Sequence, residues 1–228
     1  MKKNPLISII MNCHNGELFL EQSLKSVFLQ SYKNWELIFW DNKSKDQSKK
    51  ILIKFKDKRV KYYYSKKFNS LYNSRNLAIK KAKGKYITFL DTDDFWHKEK
   101  LNNQLNFLIN NNFKVCCTNF YMLNQKDNKK IKFIKKNKKK LTTQNLLKRY
   151  EVGILTVMIE KSLFKKNLFN KKYNIIGDFD FFISLSLNHD IGFLNKILAT
   201  YRLHEVNLSK KRIDLHIKEL NAWIKSNR

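Results

Sequence analysis

The run Tyr86-Ile87-Thr88-Phe89-Leu90 passes directly into Asp91-Thr92-Asp93-Asp94 and then Phe95-Trp96. An unbroken series of β-branched and aromatic residues reads as a buried strand. The three carboxylates at its end repel one another unless a cation lies among them. One aspartate would suffice to cap a following helix, and three exceed that need. The strand end therefore reads as a hard-cation site, and a cation held there would in turn hold a phosphate group.

The residues before this stretch alternate between two periodicities. Leu6 to Met11 is a short apolar run broken by Asn12-Cys13-His14-Asn15-Gly16. Leu20, Leu24, Val27 and Phe28 then recur at helical spacing, which predicts a helix over Glu17 to Gln30 with Asn15 as its cap. Trp35 to Trp40 reads as a second strand, closed by Asp41-Asn42-Lys43-Ser44, and Ser44 with Gln47 has capping-box spacing for a helix from about Lys45. Val60 to Tyr64 is a third strand, and Asn73 to Lys83 a helix stopped by Gly84. Such alternation describes βαβ units and a parallel sheet. Ligands bind such sheets beyond the carboxyl ends of the strands. Asn12 to Asn15, Asp41 to Ser44 and Asp91 to Asp94 should therefore be neighbours in space, forming a nucleotide-type pocket with a metal at its rim.

The remainder is read as a second half of the same domain. Lys98 to Asn111 carries Leu101, Leu105, Leu108 and Ile109 at helical spacing, and Val115 to Leu123 reads as a strand with a hairpin partner at Ile131 to Ile134. Leu141 to Tyr150 reads as a short helix, Val152 to Ile159 as a strand, and Ile197 to Tyr201 as the last strand. Between them, Ile175-Ile176-Gly177-Asp178-Phe179-Asp180-Phe181-Phe182 opens a helix. Apolar neighbours there should raise a carboxylate pKa toward a range useful for a base, and a simple helix cap is the alternative. Ile213, Ile217, Leu220 and Ile224 predict a final basic amphipathic helix, packed on the core or, failing that, in contact with a membrane. The divisions expected are 1–97 for a nucleotide-binding half, 98–212 for a second half and 213–228 for the last helix.

The 228 residues fit one α/β domain, and a hydrophobic content of 43% is ample for a core. A net charge of +28 implies an anionic partner: nucleic acid, an anionic membrane face or a phosphorylated substrate. Lys126 to Lys140 holds nine lysines and one acid, either a solvated hairpin or a patch facing lipid phosphates. Cys13, Cys116 and Cys117 have no metal-type spacing and suggest reduced thiols in a cytoplasmic protein. No segment approaches the roughly 18 apolar residues of a membrane span. The chain is expected to be soluble, or peripheral at the inner face of the cell membrane.

Taken together, these segments resemble the family 2 glycosyltransferases, inverting enzymes of the GT-A fold, of the type that builds bacterial surface polysaccharides. The resemblance runs through Ser8 to Ser48, Ser74-Arg75-Asn76-Leu77-Ala78, Ala82 to Ile87, Leu90-Asp91-Thr92-Asp93-Asp94, Asp178-x-Asp180, and Tyr201-Arg202-Leu203-His204 with Asn207-Leu208-Ser209. It implies a Rossmann-like, mostly parallel sheet flanked by helices, with a C-terminal acceptor-side α/β portion. It also implies that Asp41 contacts the nucleobase, with Cys13, Asn15, Arg75, Asp91 and Thr92 around the nucleotide sugar. Asp93 would hold Mn or Mg in the motif commonly written DXD, with His204 completing the metal shell. Asp178 would be the general base and Asp180 its support. The donor implied is a nucleotide-diphosphate sugar, most often a UDP-sugar, and the acceptor a hydroxyl of a glycan or lipid-linked molecule.

The chain departs from the family pattern in places. Asn12 and Cys13 stand where Pro and Thr are usual, Asn42-Lys43-Ser44 where Asp-Gly-Ser is common, His14 where Tyr is common, and Gly177 where a Glu usually precedes the base. Three other classes remain open on sequence, among them a related-fold nucleotidyltransferase, which the Asp178 and His204 segments fit less well. A basic nucleic-acid-binding protein fits the charge but lacks a recognition-type aromatic platform or zinc spacing, so no nucleic acid is expected. A degenerate transferase fold serving as a scaffold is opposed by the joint presence of Asp91, Asp93, Asp178 and His204.

Overall fold

In the computed structural model, residues 4–133, 139–165, 167–205, 207 and 212–227 are described. Ile134 of the expected hairpin, the lysines at 135, 136 and 138, and Leu208-Ser209 of the last motif lie outside them.

The first half follows the alternation read from the sequence. β1 (Ile7–Cys13), α1 (Glu17–Phe28), β2 (Trp35–Asp41), α2 (Ser48–Lys54), β3 (Val60–Tyr64), α3 (Leu71–Lys81) and β4 (Tyr86–Phe89) follow in order. β1 pairs in parallel with β2 and with β4, and β2 with β3. The register sets Cys13 against Asp41, so the ends of β1 and β2 are level. Both faces of β1 are buried. Ile7, Ile9 and Met11 pack with Leu20, Leu24 and Val27 of α1, while Ile10 packs on the opposite face with Ala78 and Ile79 of α3. A strand covered on both faces is apolar throughout, as parallel sheets require.

The second half extends the same sheet. β5 (Phe95–Trp96), α4 (Lys100–Asn110), β6 (Val115–Asn124), β7 (Lys130–Phe133), β8 (Lys140–Leu141), α5 (Thr143–Lys148), β9 (Met158–Glu160), α6 (Gly177–Ser186), β10 (Ile191–Leu203) and α7 (Ile213–Ser226) complete it. The strand order is β3-β2-β1-β4-β9-β6-β10-β5, with β7 on β6 and β8 on β10. β9 is antiparallel to both β4 and β6, and β6 runs parallel to β10. One short reversed strand thus joins the two parallel portions.

Several boundaries differ from expectation, each for a physical reason. α2 begins at Ser48, and Ser44 does not cap it; the Ser44 hydroxyl instead accepts from the Asn15 amide at 3.1 Å. Asn15 does not cap α1. Its φ is 53°, in the left-handed region that Asn tolerates, and its side-chain oxygen accepts from the Lys45 amide at 2.8 Å. The two polar loops are thus spent on each other. α3 ends at Lys81, before Gly84, and a Cβ at Gly84 would lie 2.6 Å from the Ser8 amide nitrogen. The glycine is required by that close approach to β1, where Ser8 and Glu36 bond the Gly84 and Lys83 amides. Val152 to Ile159 is strand only from Met158, because Ile154–Thr156 makes a single 3₁₀ turn first. In α7 the isoleucines of the expected stripe face outward: Ile213, Ile217 and Ile224 are 65, 57 and 40% exposed, Leu220 is half-buried, and Glu219 and Trp223 are buried. The expected packing of those isoleucines on the core is therefore overturned.

Candidate functional site

The three polar clusters converge. Asn15 and Gly16 donate backbone amides to Ser44 and Ser48, at 3.1 and 2.9 Å. A Cβ on Gly16 would lie 2.8 Å from the Thr92 hydroxyl and 3.1 Å from the Cys13 sulfur. Asp41 is buried, with one carboxylate oxygen accepting from the Ser44 amide and the other from the Tyr62 hydroxyl, both at 2.8 Å. Burial holds the Cys13 thiol above its ordinary pKa, so it sits here as a small neutral side chain. Cys13, Asn15, Asp41 and Thr92 therefore form one contiguous region over the ends of β1, β2 and β4.

Beside it lies a cavity of about 370 Å³ lined by Arg75, Asp91, Asp93, Asp94, Asp178 and Asn207 among others. Arg75 is buried, and one terminal nitrogen stands 2.9 Å from each oxygen of Asp91. It is carried into place on α3, whose first turn is capped by the Ser70 hydroxyl. Asp93 meets His204 at 2.9 Å between Oδ2 and Nε2, and Asn207 bridges both at 3.5 and 3.1 Å. Asp94 is turned inward, where Oδ1 accepts from the Arg202 amide at 2.9 Å. The Arg202 guanidinium bonds the Asp93 carbonyl and reaches Gln22 and Gln125. β10 thus grips the carboxylate loop from the far side of the sheet.

The electrostatics of this loop are uneven. Burial, and then the charge of Asp91, push the Asp93 carboxyl above its ordinary range, against the hydrogen bond from His204. Asp94 is pushed well up by burial and by both neighbours. Arg75 pairs with Asp91 and Arg202 lies against Asp93 and Asp94, so three carboxylates face two guanidinium groups. His204 Nδ1 is buried with no hydrogen-bond partner among the described residues. Among those residues no group of three or more His, Cys, Asp and Glu is arranged to hold a metal. Asp93 and His204 offer one oxygen and one nitrogen, and this mixed pair leaves the rest of a cation's shell to phosphate oxygens and water. The carboxylate is the member of this pair whose chemistry suits Mn or Mg.

Asp178 enters the same cavity from the other half. It lies in the first turn of α6, and its Oδ1 accepts from the Phe179 amide at 2.9 Å. The Tyr72 hydroxyl is 3.1 Å from that oxygen and 2.7 Å from the Ile175 carbonyl. Burial raises the Asp178 pKa and the nearby Arg75 charge opposes it, as the apolar surroundings in the sequence suggest. Asp180 does not line the cavity; its Oδ1 accepts from the Trp223 indole at 2.9 Å. Two features escaped the sequence reading. Tyr72 is a lone tyrosine in a helix, with no local signal of its role. Phe120, Met122 and Phe133 form an apolar wall of the cavity, although as strand residues they read only as core.

Comparison with known proteins shows the family and the fold. The description Glycosyl transferase family 2 matches residues 8–181. The UDP-Glc:alpha-D-GlcNAc-diphosphoundecaprenol beta-1,3-glucosyltransferase WfgD of Escherichia coli is 32% identical over 91% of this chain and 81% of its own length. The putative teichuronic acid biosynthesis glycosyltransferase TuaG of Bacillus subtilis is 34% identical over 69% of this chain and 63% of its own. Among solved structures, S. aureus TarS in complex with UDP-GlcNAc aligns with a TM-score of 0.75 at 21% identity, over 88% of this chain and 59% of that one. The mannosyltransferase PcManGT from Pyrobaculum calidifontis, in complex with GDP-Man and Mn2+, aligns with a TM-score of 0.70 at 12% identity, over 93% and 61%. At these identities the two structures speak for the fold, which is GT-A. This chain spans about six-tenths of their length.

The family match and the fold define a sugar-transferring class of protein. The chain belongs to the family 2 glycosyltransferases.

Proposed function

We propose that this protein transfers a sugar, with inversion, from a nucleotide-diphosphate sugar to a hydroxyl of a glycan or lipid-linked acceptor in surface polysaccharide assembly. The donor favoured is a UDP-sugar. The observation that carries the reading is that Asp91 and Asp93 line one cavity with Asp178, which comes from the other half of the chain. The donor side and the acceptor side thereby meet without sharing a carboxylate.

The roles follow from position. Cys13, Asn15, Asp41 and Thr92 border the nucleotide region, and Arg75 with Asp91 faces the sugar and phosphate end. Asp93 and His204 would hold Mn or Mg, which when bound supplies charge neutralisation to the departing diphosphate. Asp178 accepts the proton of the acceptor hydroxyl as that oxygen forms its bond to the anomeric carbon. The bond from that carbon to the diphosphate oxygen breaks, and the nucleoside diphosphate leaves with the electron pair. A base with a raised pKa is well matched to this step, since it holds the proton it takes. Asp180 supports the base indirectly, through α7. The similarity to WfgD, whose name gives a GlcNAc-diphosphoundecaprenol acceptor, supports a lipid-linked acceptor. The net charge and the outward isoleucines of α7 support peripheral contact with an anionic membrane on the cytoplasmic side. Among the described residues no helix is long and apolar enough to cross a membrane.

The test is release of nucleoside diphosphate from a panel of nucleotide sugars, with Mn or Mg and with EDTA, for wild type, Asp93→Ala and Asp178→Asn. Metal-dependent turnover of one donor, lost in both variants while Asp178→Asn still binds donor, is the expected result. A normal rate in Asp178→Asn would remove Asp178 as the base. No turnover and no metal-dependent nucleotide binding in wild type would overturn the reading.

A further inference from the structure

α7 lies beyond the matched family segment, which ends at residue 181. Its inward face carries two polar contacts, and both end on the strip of chain that presents Asp178. Glu219 is buried, and its carboxylate accepts from three consecutive amides: Asn174 at 2.7 Å, Ile175 at 2.9 Å and Ile176 at 3.2 Å. Ile176 is the N-cap of α6 and has no side chain that could cap it. Glu219 therefore accepts the N-cap amide of α6 and the two amides before it, with its negative charge at the positive end of the α6 dipole. One turn further along α7, the Trp223 indole donates to Asp180 at 2.9 Å and its ring meets Phe179 edge-on, with centroids 4.9 Å apart.

Residues 174–180 are thus clamped on their outer side at both ends. On their inner side, Asn174, Ile175 and Asp178 line the cavity, and Tyr72 bonds to Ile175 and Asp178. A buried carboxylate is tolerated only where its oxygens are satisfied, so Glu219 and the three amides define one position of this strip relative to α7. Glutamine has one acceptor oxygen, and its amide group would face the donors.

We propose that α7, through Glu219 and Trp223, is the positioning element of the base: it fixes where the Asp178 carboxyl stands toward the acceptor oxygen. This rests on Asp178 being the base.

The experiment measures metal-dependent turnover of the donor identified in the panel, with water as acceptor, and UDP affinity by calorimetry. The variants are Glu219→Gln, Glu219→Asp, Trp223→Phe and Asp178→Asn, with Glu219→Gln also made in the Asp178→Asn background. Trp223→Phe keeps the ring against Phe179 and loses only the bond to Asp180, so it reports even if Glu219→Gln does not fold. The expected result is turnover down at least tenfold in Glu219→Gln and three- to tenfold in Trp223→Phe. UDP affinity should stay within twofold, Glu219→Asp should recover part of the loss, and Glu219→Gln should add no further loss in the Asp178→Asn background. Unchanged turnover in folded Trp223→Phe, or turnover and UDP affinity falling in parallel, would overturn the proposal. A wild-type rate in Asp178→Asn would instead strike the base assignment beneath it.

Discussion

The ring of Tyr72 occupies the space that a Cβ on Gly177 would need, with two ring carbons 2.5 Å from that position. This close approach brings the Tyr72 hydroxyl to Ile175 and Asp178. It also accounts for the glycine where the family pattern has Glu: any side chain there would push the tyrosine away from the base. Gly177→Ala is expected to lower stability by about 1 to 3 kcal/mol through overpacking, set against a helix-propensity gain of up to about 1 kcal/mol. Calorimetric melting should show a lower Tm, and donor turnover should fall more than nucleotide affinity. A Tm equal to wild type would mean that the ring moves aside freely.

Asp93→Asn separates binding from folding. The substitution removes a carboxylate that burial and Asp91 disfavour, and it relieves Asp94 of a neighbouring charge. In EDTA the variant should melt at or above the wild-type temperature, as is common where charge is crowded for function. With Mn present, its UDP affinity should fall at least tenfold, about 1.4 kcal/mol. Metal-dependent affinity equal to wild type would remove Asp93 from the cation site.

The strand–helix alternation and the convergence of three loops could be read from the chain because both follow from local periodicity and from a rule about parallel sheets. Asp93, His204 and Asp178 could be placed because motif order stood in for distance, and they do reach one region. Asp180 could not be placed the same way. Two residues along a helix start turn it away from Asp178 and toward Trp223, and only the packing of α7 reveals this. The same holds for Glu219, a lone acid in a basic helix whose three amide partners lie more than 40 residues away. The isoleucine spacing in α7 gave the stripe correctly and its direction wrongly, since periodicity says which residues share a face and not what that face meets.

That outward stripe makes its own prediction. Ile213 and Ile217 are more than half exposed, with Lys218 and Lys225 on the same helix and Arg212 at its N-cap. Replacing both isoleucines with Gln should leave Tm within about 2 °C, since exposed positions change stability little. Binding to vesicles containing anionic lipid, measured by co-sedimentation at low salt, should weaken at least tenfold. Equal binding by the variant would assign the contact to the lysines alone.

Lys100 gives the fold a pH dependence that belongs to one group. Its ammonium is buried beneath β4, bonded to the Thr88 hydroxyl at 3.0 Å and the Gln104 side-chain oxygen at 2.6 Å, and 4.1 Å from the Trp96 ring centre. None of these partners is an anion, and burial brings its pKa down from 10.5 to about 7. Between those values the unfolded chain binds more protons than the folded one, so stability rises with pH across that window and levels off below it. The slope is at most about 1.4 kcal/mol per pH unit. Lys100→Met keeps the apolar stem and removes the titration. In urea unfolding at pH 7.5, 8.5 and 9.5, wild type should therefore gain on the variant by about 1 kcal/mol per pH unit. Other titrating groups are common to both proteins and cancel in the comparison. Parallel pH profiles would mean that Lys100 keeps its charge in the folded protein, with the Trp96 face and the two oxygens offsetting its desolvation in full.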